Sequence, residues 1–232
     1  MGILTFKGGV HPYDGKELSK NSPVVKYLPK GDMVYPLSQH IGAPATPTVA
    51  VGDTVKMGQI IGEASGFISA NIVSSVSGTV KKIEPRLTGS GAKATCVVIE
   101  NDGEDTPVEG LGEDRDYTTL SKEEIRQIIK DAGIVGMGGA GFPASKKYET
   151  EKSIDTLLIN GAECEPYLTC DYRLMLEKTW GVVNGARLLL KASKASKACI
   201  CLEDNKMQAA EKLNAAIQEI QEKGISQREP VE

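Results

Sequence analysis

The 232-residue sequence predicts a β-rich N-terminal domain over residues 1–115, followed by an α/β domain over residues 116–232. Three observations lead there. Up to about residue 100, short Val/Ile-rich segments are broken by Gly, Pro, Asn and Asp, as in small strands joined by turns. Beyond residue 120 the spacing changes to amphipathic helical stretches alternating with compact apolar runs, which is α/β layering. Between them lies NDGEDTPVEGLGEDRDYTTL, residues 101–120, acidic and rich in Gly, read as a linker or surface loop.

The strand segments of the first part are GDMVYPL (31–37), TPTVAVGDTV (46–55), GQIIGEAS (58–65), ANIVSSVSGTVKKIE (70–84) and KATCVVIEN (93–101). The pairing of VAVGDTVKMGQIIGE with SSVSGTVKKIE, glycines marking the turns, resembles the biotinyl/lipoyl-like barrel-sandwich hybrid fold. That resemblance implies a central hairpin, which in carrier domains bears a modified lysine. The corresponding stretch here, GFISANIVSS from Gly66 to Ser75, has no lysine, so a structural relative is expected rather than a lipoylated carrier.

In the second part SKEEIRQIIKDAG opens on Ser121 with Glu124 three positions later, the sequence form of a capping box. Ile125, Ile128 and Ile129 mark the helix's apolar face, and Gly133 its end. IDTLLIN, ending at Asn160, reads as a buried strand, and DYRLMLEKTWGVVNGARLLLKA as helix. SKACICLED reads as another strand, with Cys199 and Cys201 on one face. NKMQAAEKLNAAIQEIQEKG is a final helix with Ala209, Ala210, Leu213, Ala216, Ile217 and Ile220 as its apolar residues.

Composition narrows the function. With 27 basic against 31 acidic residues, and 5% aromatics, the chain lacks the charge and the stacking surfaces expected of a nucleic-acid partner. No apolar run is long enough to span a membrane, and the N-terminus lacks a signal-like apolar region, so a cytoplasmic protein is expected. Cys96, Cys164, Cys170, Cys199 and Cys201 are odd in number and show no repeated CxxC spacing. They encode neither a disulfide framework nor a four-cysteine cluster site. His11 and His40 are expected to make structural polar contacts.

The densest chemistry lies in GMGGAGFPASKKYE, residues 136–149. Its GxGxxG letters follow a helix rather than a strand, and GK[ST] is absent, so neither a dinucleotide fingerprint nor a Walker loop is indicated. Gly136, Gly138, Gly139 and Gly141 still let successive N–H groups turn toward an anion, with Lys146 or Lys147 adding charge. The alternative is a mobile surface loop. INGAECEPYLTCDYRLM (159–175) follows at a strand end, where α/β proteins hold ligands, and places Asn160, Glu163 and Glu165 there.

GMGGAGFPASKKYE with INGAECEPYLTCDYRLM, preceded by TFKGGVHP, PLSQHIGAP and VGDTVKMGQIIGEA in the same order, resembles the RnfC-type subunit of the Rnf electron-transport complex. That family is related to the NADH- and FMN-binding subunit of respiratory complex I. The resemblance implies an α/β FMN-binding domain that is incomplete here, family members continuing with two [4Fe–4S] clusters. It implies FMN as cofactor and NAD(H) as substrate, with ferredoxin and the other Rnf subunits as partners. The implied location is peripheral, on the cytoplasmic side of the membrane.

By motif, Gly136, Gly138, Gly139 and Gly141 would shape the FMN-phosphate loop, and Lys147 would face the cofactor in preference to Lys146. Phe142 would stack on a nucleotide ring or anchor the loop. Asn160 would assist flavin or ribityl recognition, with Glu163 and Glu165 near the flavin and the nicotinamide side. Met137 stands where complex I has arginine, and Ala162 where it has aspartate. The implied function is the NADH/FMN side of a ferredoxin:NAD oxidoreductase. The alternatives are a non-catalytic docking fragment or a flavoprotein subunit of a soluble reductase.

Overall fold

The computed structural model describes residues 12–113, 115–150 and 152–223. The N-terminal motif up to His11 and the terminal ISQREPVE lie outside the described residues. By internal contacts the chain forms two compact units. Among the described residues, a β unit takes in residues 27–154 and 191–195, and an α/β unit takes in residues 12–26, 155–190 and 196–223.

In the β unit, strands β1 (Asp32–Pro36), β2 (Thr46–Pro47), β3 (Thr54–Val55), β4 (Ile60–Glu63), β5 (Ile72–Val73), β6 (Gly78–Leu87) and β7 (Lys93–Asn101) build two antiparallel sheets. One has the order β1-β7-β6-β3 and the other β2-β4-β5. Their facing residues share one core: Tyr35, Val55, Ile61, Ile72, Val80, Val97 and Ile99 come from six different strands. This is the β-rich, barrel-sandwich-hybrid-like domain that the resemblance implies. β7 buries Cys96, Val97, Val98 and Ile99 in succession, so it is covered on both faces and does not alternate.

ANIVSSVSGTVKKIE, one segment in the sequence reading, is divided between the two sheets, β5 in one and β6 in the other. Pro85 sits in β6 where β7 is the paired neighbour. β3 reaches only Gly78 and Thr79, so the missing N–H of Pro85 breaks no second ladder. The acidic stretch after β7 is anchored rather than loose. Met57 donates to the Thr106 carbonyl at 2.9 Å and accepts from the Val108 N–H at 2.9 Å, while Thr106 N–H donates to Ser77 Oγ at 2.9 Å.

Helix α1 (Lys122–Asp131) begins with the predicted capping box: Glu124 N–H donates to Ser121 Oγ at 3.2 Å, and Ser121 N–H to Glu124 Oε2 at 2.7 Å. Ile125 and Ile129 are buried, but Ile128 is 36% exposed. At about 100° per residue Ile125 and Ile129 differ by only about 40°, whereas Ile128 falls on the other flank. Gly133 ends the helix at φ 64, in the left-handed region, and a Cβ there would overlap the Asn71 carbonyl. Asn71 Nδ2 also donates to the Asp131 carbonyl at 3.3 Å. The stretch that bears a lysine in carrier domains therefore holds the end of α1.

In the α/β unit, β8 (Thr156–Asn160) and β9 (Lys197–Cys201) pair in parallel, from Thr156 opposite Lys197 to Asn160 opposite Cys201. The crossover carries α3 (Cys170–Glu177) and α4 (Thr179–Ser193), and α5 (Met207–Lys223) follows β9. The single helical stretch of the sequence reading breaks at Lys178, whose φ −125 and ψ 43 are not helical, and Thr179 Oγ1 donates to the Met175 carbonyl at 2.7 Å. Met175, Val183, Ala209, Leu213 and Ala216 form the core, with Ile200 and Ile217 packed against it. β8 is less buried than its apolar sequence predicts: Leu158 is 65% exposed. The three helices gather on the Ile200 face, and among the described residues the other face is uncovered.

Candidate functional site

The predicted site residues fall into two loops, one in each unit. In the β unit the glycine segment is a closed hairpin. Its neck is fixed by the bridge between Val135 and Pro143 and by Gly136 N–H donating to the Phe142 carbonyl at 2.9 Å. Ala144 N–H adds a bond to the Ile134 carbonyl at 2.8 Å. The base rests on PLSQHIGAP. Gly141 has φ 65, its carbonyl accepts from Ile41 N–H at 3.4 Å, and a Cβ would stand 2.9 Å from the Gln39 carbonyl oxygen. Only glycine meets both conditions.

The tip is open. Among the described residues, no heavy atom lies within 4 Å of where a Cβ would stand on Gly138 or Gly139, and Met137 is 95% exposed. Nothing in the fold requires glycine at these two positions, so the free approach to their backbone is available to a ligand. Short helix α2 (Ala144–Lys147) carries both lysines. Lys146 is engaged, 2.8 Å from Glu149 Oε2 and over the Phe67 ring at 4.8 Å. Lys147 turns back toward the hairpin, its Nζ 3.6 Å from the Cβ position of Gly136 and 5.9 Å from the centre of the half-buried Phe142 ring. Beneath the loop, His40 is buried, with Nε2 taking the Ala70 N–H at 3.2 Å and Nδ1 3.0 Å from the Ile41 carbonyl. This is a structural polar contact, and it fixes which nitrogen carries the proton.

In the α/β unit the second loop leaves the end of β8. Asn160 is exposed, and its Oδ1 accepts from Ala162 N–H at 3.1 Å, which shapes the turn. Glu163 is 2% exposed. Its Oε1 accepts from Asp171 N–H at 2.7 Å in the first turn of α3 and from the Cys170 thiol at 3.4 Å. Its Oε2 is buried and has no hydrogen-bond partner among the described residues, an acceptor whose desolvation they leave uncompensated. Glu165 is exposed, its carbonyl held by Lys16 Nζ at 3.0 Å.

Negative charge is crowded here. Burial, then the Glu163 and Glu165 carboxylates, hold the Asp171 carboxyl above the usual aspartate range, partly offset by Lys206. Burial and the bond to Glu163 push the Cys170 thiol up as well, which keeps it a donor. Glu163, Cys170 and Asp171 bring one ligand atom each within 4.8 Å of one another, the one such grouping among the described residues. The cavity beside Glu163, about 90 Å³ and lined also by Lys16, Lys206, Thr169 and Tyr172, is far too small for a flavin. Lys16, Lys206 and the capping role of Glu163 have no signal in the local sequence. Asp171 and Cys170 lie within the quoted motif.

A hairpin with an unobstructed glycine tip and a lysine turned to it has the donor set for a phosphate. The buried acceptor of Glu163 suits an N–H or O–H donor. The hairpin's donor set, taken by itself, fits the phosphate end of the FMN that the resemblance implies. Two family models match the chain: the RnfC barrel sandwich hybrid domain over residues 4–104 and the Nuo51 FMN-binding domain over residues 129–230.

The chain belongs to the RnfC family.

It is similar to the RnfC-type subunit of the proton-translocating ferredoxin:NAD(+) oxidoreductase complex of Clostridium ljungdahlii, 45% identical over 93% of this chain and 48% of the relative. It resembles the corresponding RnfC-type subunit of the Na(+)-translocating ferredoxin:NAD(+) oxidoreductase complex of Acetobacterium woodii at 44% identity, over 92% of this chain and 48% of the relative. It also resembles that of the ion-translocating oxidoreductase complex of Haemophilus influenzae at 38%, over 93% and 34%. The chain thus spans about half the length, or less, of these RnfC-family relatives.

Proposed function

We propose that the chain is the NADH/FMN-side module of an Rnf-type ferredoxin:NAD oxidoreductase complex. The observation that carries this reading is the open Gly138–Gly139 tip with Lys147 turned toward the hairpin, inside residues matched by an FMN-binding family model. Gly136, Gly138, Gly139 and Gly141 shape the FMN-phosphate loop, the open Gly138–Gly139 tip presents backbone to the phosphate, and Lys147 neutralises it. Phe142 braces the hairpin and offers a ring face. Asn160, Glu163 and Glu165 take hydrogen-bond donors of the flavin, ribityl chain or nicotinamide. FMN, when bound, supplies the conversion between two-electron and one-electron transfer, which the side chains of this protein do not perform.

The names of the relatives support partners of the same kind: the other subunits of an ion-translocating complex, ferredoxin and NAD(H). Peripheral attachment at the cytoplasmic side of the membrane fits this reading, and no helix among the described residues is long and apolar enough to cross a membrane. We put the boundary between the two domains at 115/116, a reading supported by family matches over residues 4–104 and 129–230 that leave it between them.

The test is anaerobic titration of FMN into the protein, followed by flavin fluorescence and then NADH addition. Saturable quenching with bleaching of the flavin absorbance supports both halves of the proposal. Binding without bleaching removes the NADH half, and absence of binding by the full-length protein removes the whole.

A further inference from the structure

The loop from Glu163 to Thr169 makes little use of its own hydrogen bonds. Within it, Leu168 N–H donates to the Glu165 carbonyl at 3.4 Å. Its ends are held by α3, through the Asp171 N–H on the Glu163 carboxylate and the Arg173 N–H on the Thr169 carbonyl at 2.9 Å, and its backbone between them is anchored mainly by a segment about 150 residues earlier in the sequence. Lys16 is buried, and its ammonium donates to the carbonyls of Glu163 at 2.6 Å, Leu168 at 2.7 Å and Glu165 at 3.0 Å. Those three bonds exhaust the donors of a lysine. None of the ion pairs within 4 Å among the described residues includes Lys16, so carbonyl dipoles are what hold this charge out of water.

Neighbouring contacts extend the grip. Tyr167 N–H donates to the Asp14 carbonyl at 2.6 Å, and Ser19 Oγ lies 2.8 Å from Thr169 Oγ1. Tyr167 is held at φ 66, a strained value for a residue with a side chain, and its ring covers Gly15, where a Cβ would overlap it. Tyr13 meets the same ring edge-on at 6.2 Å. Lys206, also buried, approaches the Glu163 carbonyl at 3.4 Å while paired with Glu203.

We propose that Lys16 is a positioning residue: residues 13–19 clasp the Glu163–Thr169 loop and hold Glu163 and Glu165 in the conformation that receives the cofactor. This rests on the reading of those two glutamates as facing the flavin or nicotinamide. Lys16 bonds the backbone of both glutamates and not their carboxylates. Its three bonds set the path of the loop backbone, and that path fixes where the Glu163 carboxylate and the Glu165 side chain begin.

The experiment compares the full-length protein with its Lys16→Met and Lys16→Arg variants by amide hydrogen exchange without cofactor and by FMN titration. In Lys16→Met, exchange across residues 163–169 is expected to rise at least about tenfold, the scale of a lost charge-assisted hydrogen bond, with β8 and α5 unchanged. FMN affinity is expected to fall about tenfold, and Lys16→Arg to restore part of both effects. Ser19→Ala, which removes a single anchor, gives a milder loosening at residues 167–169 and decides the matter if Lys16→Met does not fold.

Unchanged exchange in the loop, or loosening spread through the whole unit, overturns the clasp. Loosening with unchanged FMN affinity overturns the positioning role while leaving FMN binding intact. If the unaltered protein binds no FMN, the functional reading fails, and the clasp stands or falls on the exchange result alone.

Discussion

Gly133 and Gly138 belong to the same glycine-rich stretch and answer to different demands. Gly133 is required by the fold, through its left-handed φ and the Asn71 carbonyl against it. Gly133→Ala is expected to destabilise the protein by more than about 1 kcal/mol, measured by denaturant midpoint. Gly138 has open space where a side chain would stand, so Gly138→Val is expected to change stability by less than about 0.5 kcal/mol and to act on ligand binding instead. Lys147→Gln removes the cation turned to the hairpin. FMN affinity is expected to fall about tenfold and to become less salt-dependent, with titrations at two ionic strengths as the check.

At this scale the glycine loop and its lysines were legible because the chemistry is local in sequence. Glu149 and Phe67 occupy Lys146, contacts that spacing does not reveal, and the preference for Lys147 as the cofactor-facing lysine belongs to the proposal. Lys16 was not legible. Its partners are carbonyls, which carry no residue-specific signal, and they lie far along the chain.

Among the elements, α1 was the most fully encoded. Its capping box, end signal and two of its three apolar positions follow from spacing alone, and Ile128 departs because it lies on the flank of the helix. Ser121→Ala is expected to cost about 1 kcal/mol at neutral pH. The Ser121 hydroxyl and N–H hold the Glu124 carboxyl below its usual range. A group with a depressed folded pKa contributes stability above its unfolded pKa and loses it as pH falls through the folded value. The difference between wild type and Ser121→Ala therefore narrows as pH drops below the ordinary glutamate range, and thermal midpoints at pH 7 and in acid check it.

The elements that sequence pattern misjudged were those decided by tertiary partners. β5 pairs with β4 at the edge of one sheet while β6 lies inside the other between β7 and β3, α3 and α4 separate at Lys178, and β8 exposes Leu158, which no helix among the described residues covers. Periodicity reports which residues are apolar, but not which neighbour will cover them.

On the scale of the whole molecule, a sandwich of curled sheets and an α/β unit were both foreseen, and the family matches agree with that order. Not foreseen was how contacts group the chain. α1, the glycine hairpin and α2 pack with the β unit, while the segment ending at Lys26 packs with the α/β unit. The hairpin's base explains part of this, since PLSQHIGAP supplies the backbone on which Gly141 rests. The barrel-sandwich part thus has a physical task in the flavin reading: it supports the loop assigned to the phosphate. Ile61→Ala in its shared core is expected to cost about 2–5 kcal/mol and to lower FMN affinity only as far as the fold is lost.

The central claim is that the open glycine tip receives the phosphate of FMN. Its most direct measurement is the FMN dissociation constant of the full-length protein beside that of Gly138→Val, with folding of both verified by circular dichroism and thermal midpoint. The account predicts saturable binding by the unaltered protein and a loss of at least about tenfold in the equally stable variant. Equal affinities in two folded proteins would contradict it.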